Sequence, residues 1–245
     1  MAPGRLGPFV LDAPLERGGM AVVWAATHVD SGTPVAIKVL DRDAAHDQHR
    51  ILALEREIRA TAALDHPGVI WVFDAGRVPA EVAEAHPELG EGLPWLAMEL
   101  ARGGTLQHRL RALSWPEIES IVLDLLDALA HAHARGLLHR DLKPSNILFR
   151  TPTSERPVLA DFGMAHSTGE ASTPGGTPAW MAPEQLLDDV AGQGPWTDLY
   201  ALGCILHEMM TGRPPYTAAT PFGVLDQHRG APIPPAPETY SRGLA

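Results

Sequence analysis

The chain holds a single cysteine, Cys204, in 245 residues. That excludes an internal disulfide framework and fits a reducing compartment. Long apolar runs are absent too: no stretch of 18 or more apolar residues offers a membrane span. The opening Met1-Ala2-Pro3-Gly4-Arg5-Leu6 lacks the apolar segment of a signal peptide. Together these features imply a soluble, cytoplasmic protein. Basic residues are in deficit, 19 Lys plus Arg against 30 Asp plus Glu, for a formal net charge of -11. With a pI near 5.5, nucleic acid and anionic membrane surfaces are not the default partners. Lysine is scarcer still. Of the 19 basic residues only Lys38 and Lys143 are lysines. A chain so biased to arginine keeps lysine where a compact point charge does what a planar fork cannot. The length is enough for a sizeable core, in one domain or two lobes.

The polar stretch His139-Arg140-Asp141-Leu142-Lys143-Pro144-Ser145-Asn146 follows a long helical pattern. Asp, Lys and Asn stay exposed unless paired, so a solvated loop is the plain reading of such a run taken alone. Its spacing, H-R-D-L-x-x-x-N, is followed by Asp161-Phe162-Gly163 and then by Ala182-Pro183-Glu184. Upstream, Val35-Ala36-Ile37-Lys38 alternates like a strand. In that order these runs resemble the signature of the eukaryotic-like (Hanks-type) bacterial serine/threonine protein kinase family. The resemblance covers roughly residues 9–237. It implies an α+β, bilobal protein-kinase-like fold and one catalytic domain over 1–245. The N-lobe, about 9–101, is expected to be small, mainly antiparallel β with one helix. The C-lobe, 102–237, is expected to be mainly helical, with an unstructured tail at 238–245. Measured against the family, the chain stops before the final helices. Either the chain is a fragment of a longer kinase, or it is a short form whose lower lobe leaves apolar surface uncovered, for which self-association or a partner protein is expected.

Phe9-Val10-Leu11 and Val22-Val23-Trp24-Ala25 read as strands around Glu16-Arg17-Gly18-Gly19-Met20-Ala21. A glycine pair between strands can be a simple hairpin turn. It can also let backbone N–H groups approach a phosphate where no Cβ intervenes. Against the family's G-x-G-x-x-G-x-V, Gly18 holds the middle glycine and Val23 the valine. Glu16 and Ala21 replace the outer two, and the Glu16 carboxylate is expected to weaken nucleotide binding. The resemblance implies ATP and Mg2+ as cofactors, with Leu15, Gly18, Gly19 and Val23 at the nucleotide. It implies that Lys38 holds the α- and β-phosphates and pairs with Glu57, and that Ala36 and Leu148 enclose the adenine with Val23. Glu57 lies on a helix predicted over 47–64, where Ile51, Leu54, Ile58 and Ala62 recur on one face; Glu55, Arg56 and Arg59 are expected to be solvated. A strand is predicted over 69–73, then a mobile acidic surface insertion over 74–92. The strand Trp95-Leu96-Ala97-Met98 leads into the inter-lobe hinge of the resemblance. There Met98 guards the rear pocket, while the Glu99 carbonyl and the Ala101 N–H bond adenine.

Ser114-Trp115-Pro116-Glu117 is a capping box. The helix behind it is expected to bury Ile118, Ile121, Val122, Leu125, Leu126 and Leu129, ending near Gly136. His131 and His133, two apart on a helix, do not face each other, so they read as ordinary surface or packing residues. By resemblance, Asp141 takes or orients the proton of the attacking hydroxyl, and Lys143 neutralises the transferred phosphoryl group. Asn146 and Asp161 are the oxygen ligands Mg2+ requires. An activation segment runs from Asp161 to Glu184, with Arg140 as partner for a phosphate on it. Thr168, Ser172 and Thr173 are candidate phosphosites, Thr173 preferred, and Thr177 is expected to bond the catalytic Asp and Lys. Trp180 stands where the family has Tyr. Thr197 is predicted to cap a buried helix on which Asp198 steadies the catalytic loop. By resemblance Glu184 pairs with an arginine on the final helices; the chain stops short of that arginine, and Arg242 in the tail is a weak substitute. The implied activity is transfer of the ATP γ-phosphoryl group to Ser/Thr hydroxyls of protein substrates, with autophosphorylation. The alternative is a kinase-like nucleotide-binding scaffold. Such scaffolds lose Lys, Asp or Asn at the phosphate and metal positions; here Lys38, Asp141, Asn146 and Asp161 are all kept.

Overall fold

Successive apolar strands joined by short turns pair in sequence order near the N-terminus. The computed structural model describes residues 4–17, 21–43, 47–110, 113–162, 178–187, 192–235 and 237. It divides into two units, 1–65 with 70–101, and 66–69 with 102–245. In the first unit β1 (Arg5–Leu6), β2 (Phe9–Arg17), β3 (Ala21–His28), β4 (Pro34–Leu40), β5 (Val72–Arg77) and β6 (Pro94–Glu99) form one sheet. Every neighbouring pair is antiparallel, in the order β1-β2-β3-β4-β6-β5. Val23 pairs with Lys38 and Ala36 with Met98. Side chains alternate along a strand, so Val23, Ala36, Lys38 and Met98 share one face. Val22, Trp24, Ile37, Val39, Trp95 and Ala97 face the other way, into a buried cluster.

Helix α1 (Gln48–Ala62) starts at Asp47, whose carboxylate accepts from the N–H groups of His49 and Arg50. Its buried residues are Leu54, Glu57 and Thr61, while Ala62 is exposed. The helical period carries the inward face from 54 through 57 to 61, and the apolar stripe drawn to Ala62 overshoots it by one residue. A larger correction concerns residues 74–92, expected as a mobile surface insertion. Strand β5 continues to Arg77, helix α2 (Ala80–Ala85) follows, and Val78, Val82, Leu89 and Leu93 enter the buried cluster. Glu81, Glu84 and Glu91 point outward. Their acidity, with Pro79 and Pro87, hides four anchors from a compositional reading. Among its described residues the first unit thus has two helices, where one was expected.

In the second unit α3 (Trp115–His133), the hairpin β7 (Ile147–Phe149) and β8 (Pro157–Leu159), α4 (Pro195–Thr211) and α5 (Pro221–Gly230) follow in order. Residues 66–69 join them: Val69 bridges Leu159, and the Gly68 carbonyl accepts from the Leu159 N–H. The strand expected from residue 69 therefore begins only at Val72. Glu117 accepts from the Ser114 N–H at 2.7 Å and caps α3. Ala128 and Ala132 are buried on α3, where Leu126 is 37 % exposed; small residues let the helix pack closely. Helix α4 is capped by Gly194, not Thr197, and is not buried all round: Trp196 and Leu199 are exposed. Thr197 lies a turn inside and donates its hydroxyl to Glu184 at 2.7 Å.

Arg109 organises the loop after β7. Its guanidinium sits 3.6 Å from the Phe149 ring centroid and donates to the carbonyls of Ser154 and Gly103 at 2.7 and 3.0 Å. Gly103 donates its own N–H to Phe149 O at 2.8 Å. A Cβ there would overlap the carbonyl oxygens of Phe149 and Thr151, which are backbone and cannot swing away. Gly103→Ala is expected to lower stability by about 2 kcal/mol, read as a shift of the urea midpoint; an unchanged midpoint contradicts this packing.

Candidate active site

Among the described residues two non-glycine positions adopt the left-handed backbone region, Arg140 (φ 64°) and Asp161 (φ 61°). Each such position costs about 1–3 kcal/mol and persists only where its surroundings enforce it. Around Arg140 the enforcement is visible. Its N–H donates to Asp198 Oδ1 at 2.8 Å, and its carbonyl accepts from Gln185 Nε2 at 2.7 Å. The His139 N–H and His133 Nε2 both bond Asp198 Oδ2, at 2.9 and 2.7 Å. Asp198 is 1 % exposed. Burial pushes its carboxyl up, but His133, the charge of His139 and the N–H groups of Arg140 and His139 together outweigh that push. The group therefore titrates below its ordinary value of 3.8. The His139 ring donates from Nε2 to Ala160 O at 3.0 Å and packs on Phe162, centroids 4.7 Å apart.

On this fixed backbone Lys143 Nζ reaches Asp141 Oδ2 at 2.7 Å. Asn146 Nδ2 donates to Asp141 O at 2.8 Å and to Oδ2 at 3.2 Å. With its nitrogen so committed, the Asn146 side chain has its carbonyl oxygen left to accept or ligate. The 3-10 turn Pro144–Asn146 and the bond from Ala160 N–H to Asn146 O, 3.0 Å, place it. The second unit thus brings Asp141, Lys143 and Asn146 together. Leu148 lies two residues beyond Asn146, on β7.

In the first unit Lys38 Nζ donates to both oxygens of Glu57, at 2.9 and 3.0 Å, with the residues 7 % and 1 % exposed. Val23, Ala36 and Met98 share that face of the sheet, while Leu15 on β2 is 53 % exposed. Glu99 exchanges bonds with Trp71: its N–H donates to Trp71 O at 2.9 Å, and its carboxylate accepts the Trp71 N–H at 3.0 Å. Ala101 is half-buried at the end of this unit. Gly18, Gly19, Gly163, Thr168, Ser172, Thr173, Thr177 and Arg242 lie outside the described residues. Arg140 Nε is buried with no hydrogen-bond partner among the described residues.

In the sequence His133 reads as an ordinary histidine, and no local motif marks Gln185; their roles come from contacts with distant residues. One available signal was rarity: Asn146 is the only asparagine of the chain, and it sits beside one of the two lysines.

The protein kinase domain family matches residues 9–230. The chain belongs to that family. It is 33% identical over 234 residues to the probable serine/threonine-protein kinase PknB of Bifidobacterium longum, covering 91% of this chain and 33% of that protein. It is 34% identical over 229 residues to the serine/threonine-protein kinase PknB of Mycobacterium leprae, covering 89% and 35%. The probable PknB of Corynebacterium glutamicum is 32% identical over 239 residues, covering 93% and 35%. The chain therefore spans about a third of the length of the curated relatives it matches. It is a bacterial, Hanks-type kinase domain.

Within this kinase domain Trp180 is buried, and its indole N–H donates to Glu208 Oε2 at 2.8 Å. Glu208 titrates above its ordinary range through burial, a shift that this bond reduces. Asp198 is the more consequential acid. An amide at that position sets an N–H donor against N–H donors, so Asp198→Asn is expected to cost about 2 kcal/mol at neutral pH. Because the folded-state pKa is depressed, the carboxylate's advantage is full above the ordinary value and is lost as pH falls through the folded one. The gap between wild type and Asp198→Asn in urea unfolding should therefore close on acidification; a gap independent of pH contradicts the assignment.

Proposed function

We propose that this domain transfers the γ-phosphoryl group of ATP to serine and threonine hydroxyls of protein substrates. The observation that carries the reading is the fixed group of Asp141, Lys143 and Asn146, in a chain of the protein kinase family. Phosphoryl transfer asks little covalent work of the protein and much positioning and charge stabilisation. Asp141 would accept or orient the hydroxyl proton, and Lys143 would leave Asp141 to meet developing negative charge. Among the described residues no group of three or more His, Cys, Asp or Glu could hold a metal by itself. Mg2+ carried on phosphates needs only one or two protein oxygens, and Asp161 with the amide oxygen of Asn146 suits that demand. ATP with Mg2+ supplies the phosphoryl group and a charge-neutralising cation.

From the first unit, Lys38 held by Glu57 would take the α- and β-phosphates, and Val23, Ala36 and Met98 offer the apolar face beside it. Leu15, Leu148 and the backbone of Glu99 and Ala101 are assigned to adenine, and Gly18 and Gly19 to the phosphates. Arg140, with its buried Nε, suits a phosphate on Thr173, and Thr177 is assigned to steady Asp141 and Lys143. Among the described residues no helix is long and apolar enough to cross a membrane. The one thiol is buried and pushed up to about 12, by burial first and Glu208 second. A cytoplasmic location agrees with both. Leu123 on α3 and Leu199 on α4, 60% and 47% exposed, support protein cover over those helices, from a partner or a second copy.

The wild-type domain is expected to bind ATP with a magnesium-dependent heat in titration calorimetry. Asp161→Asn keeps a residue type that tolerates the left-handed backbone and should lose the magnesium dependence. Asp141→Asn should keep ATP affinity while transfer of labelled phosphate to protein drops about 100-fold or more. Wild-type turnover in Asp141→Asn rules out the role given to it.

A further inference from the structure

Residues 74–92, expected as a mobile surface insertion, hold the helix that bears Glu57 and the chain leading to it. Just before α1, Asp41 forms an antiparallel bridge with Leu89, and the Arg42 N–H donates to Glu88 O at 3.0 Å. On α1 itself, Glu55 accepts from Arg77 Nη2, while Arg77 Nη1 donates to Gly92 O at 2.7 Å. One guanidinium thus ties the helix to the far end of the insertion. Underneath, Val78, Val82, Leu89 and Leu93 share a buried cluster with Leu54, and Ile51 and Ile58 pack against it. At the other end the Gly4 N–H donates to His86 Nε2 at 3.1 Å, fastening the insertion to the chain before β1.

We propose that this insertion is a built-in brace for α1, with Arg77 and Glu55 as positioning residues that hold Glu57 against Lys38. The proposal rests on the ATP reading above for its effect on nucleotide, but not for the brace itself. Glu55 stands two residues before Glu57, about 3 Å along the helix axis, so the helix cannot tilt at one without carrying the other. Lys38 and Glu57 are buried, and separation strands two charges away from water; a small tilt therefore matters more here than on a surface helix. Arg77 is 59% and Glu55 24% exposed at the side chain. Such a pair contributes little to global stability. Its effect is to bias where the helix sits.

The test compares wild type, Arg77→Glu and the charge-reversed double variant Glu55→Arg with Arg77→Glu. Hydrogen exchange of the amides of α1 and calorimetric titration with Mg-ATP are followed together. Arg77→Glu sets two carboxylates side by side and should speed exchange in α1 about fivefold, leaving exchange in α3 unchanged, while ATP affinity falls by a similar factor. The double variant should restore both. Unchanged α1 exchange, a rise spread equally over α3, or no recovery in the double variant overturns the brace. Exchange that rises and recovers while ATP affinity stays constant upholds the brace and sinks the assignment of Lys38 and Glu57 to nucleotide.

Discussion

The buried carboxylate of Asp198 is the interaction on which the loop carrying Asp141 depends. A charge removed from water is tolerable only when donors replace the lost hydration. Here His133 and two consecutive backbone N–H groups supply them. In satisfying Asp198, the chain is forced to present the peptides of His139 and Arg140 to one point. That bends Arg140 into a conformation it would not choose, and Gln185 closes it from the carbonyl side. The next residue is Asp141. Its position is a consequence of electrostatic bookkeeping one residue away.

The first unit solves the same problem differently. Lys38 and Glu57 pair opposite charges, two hydrogen bonds deep in the fold, where the mutual attraction offsets desolvation only if the geometry is good. Geometry here rests on a helix lying against a sheet, and helices slide more easily than hydrogen-bonded strands. The insertion after β5 meets that need, with apolar anchors beneath and Arg77 across the top. Asp198 needs no such insertion: two of its donors come from the backbone it organises and the third is the His133 side chain on α3.

Acidic residues and prolines made the insertion look like a solvated connection, because composition averages over side chains that face opposite ways. Val78, Val82, Leu89 and Leu93 are too few and too irregularly spaced to announce a period, yet each is almost fully buried. On α3, Ile118, Ile121, Leu125 and Leu129 are buried as expected, but Ala128 and Ala132 are buried with them and the larger Leu126 is not. Size is not burial. Close helix packing selects small residues, and a hydrophobic stripe read from large side chains alone drifts off the contact.

From residue order alone came the candidates for the reactive side chains, the strand around Lys38, the choice of Glu57 over Glu55 and the cap of α3, because each depends on neighbours within a few turns of chain. Rarity helped, since two lysines and one asparagine leave little to choose among. Tertiary structure alone decided what holds those side chains still: His133 on Asp198 across 65 positions, Gln185 on Arg140 across 45, and Trp180 on Glu208 across 28. Periodicity and capping are local quantities. A hydrogen bond between distant positions exists only once packing has brought its two ends together.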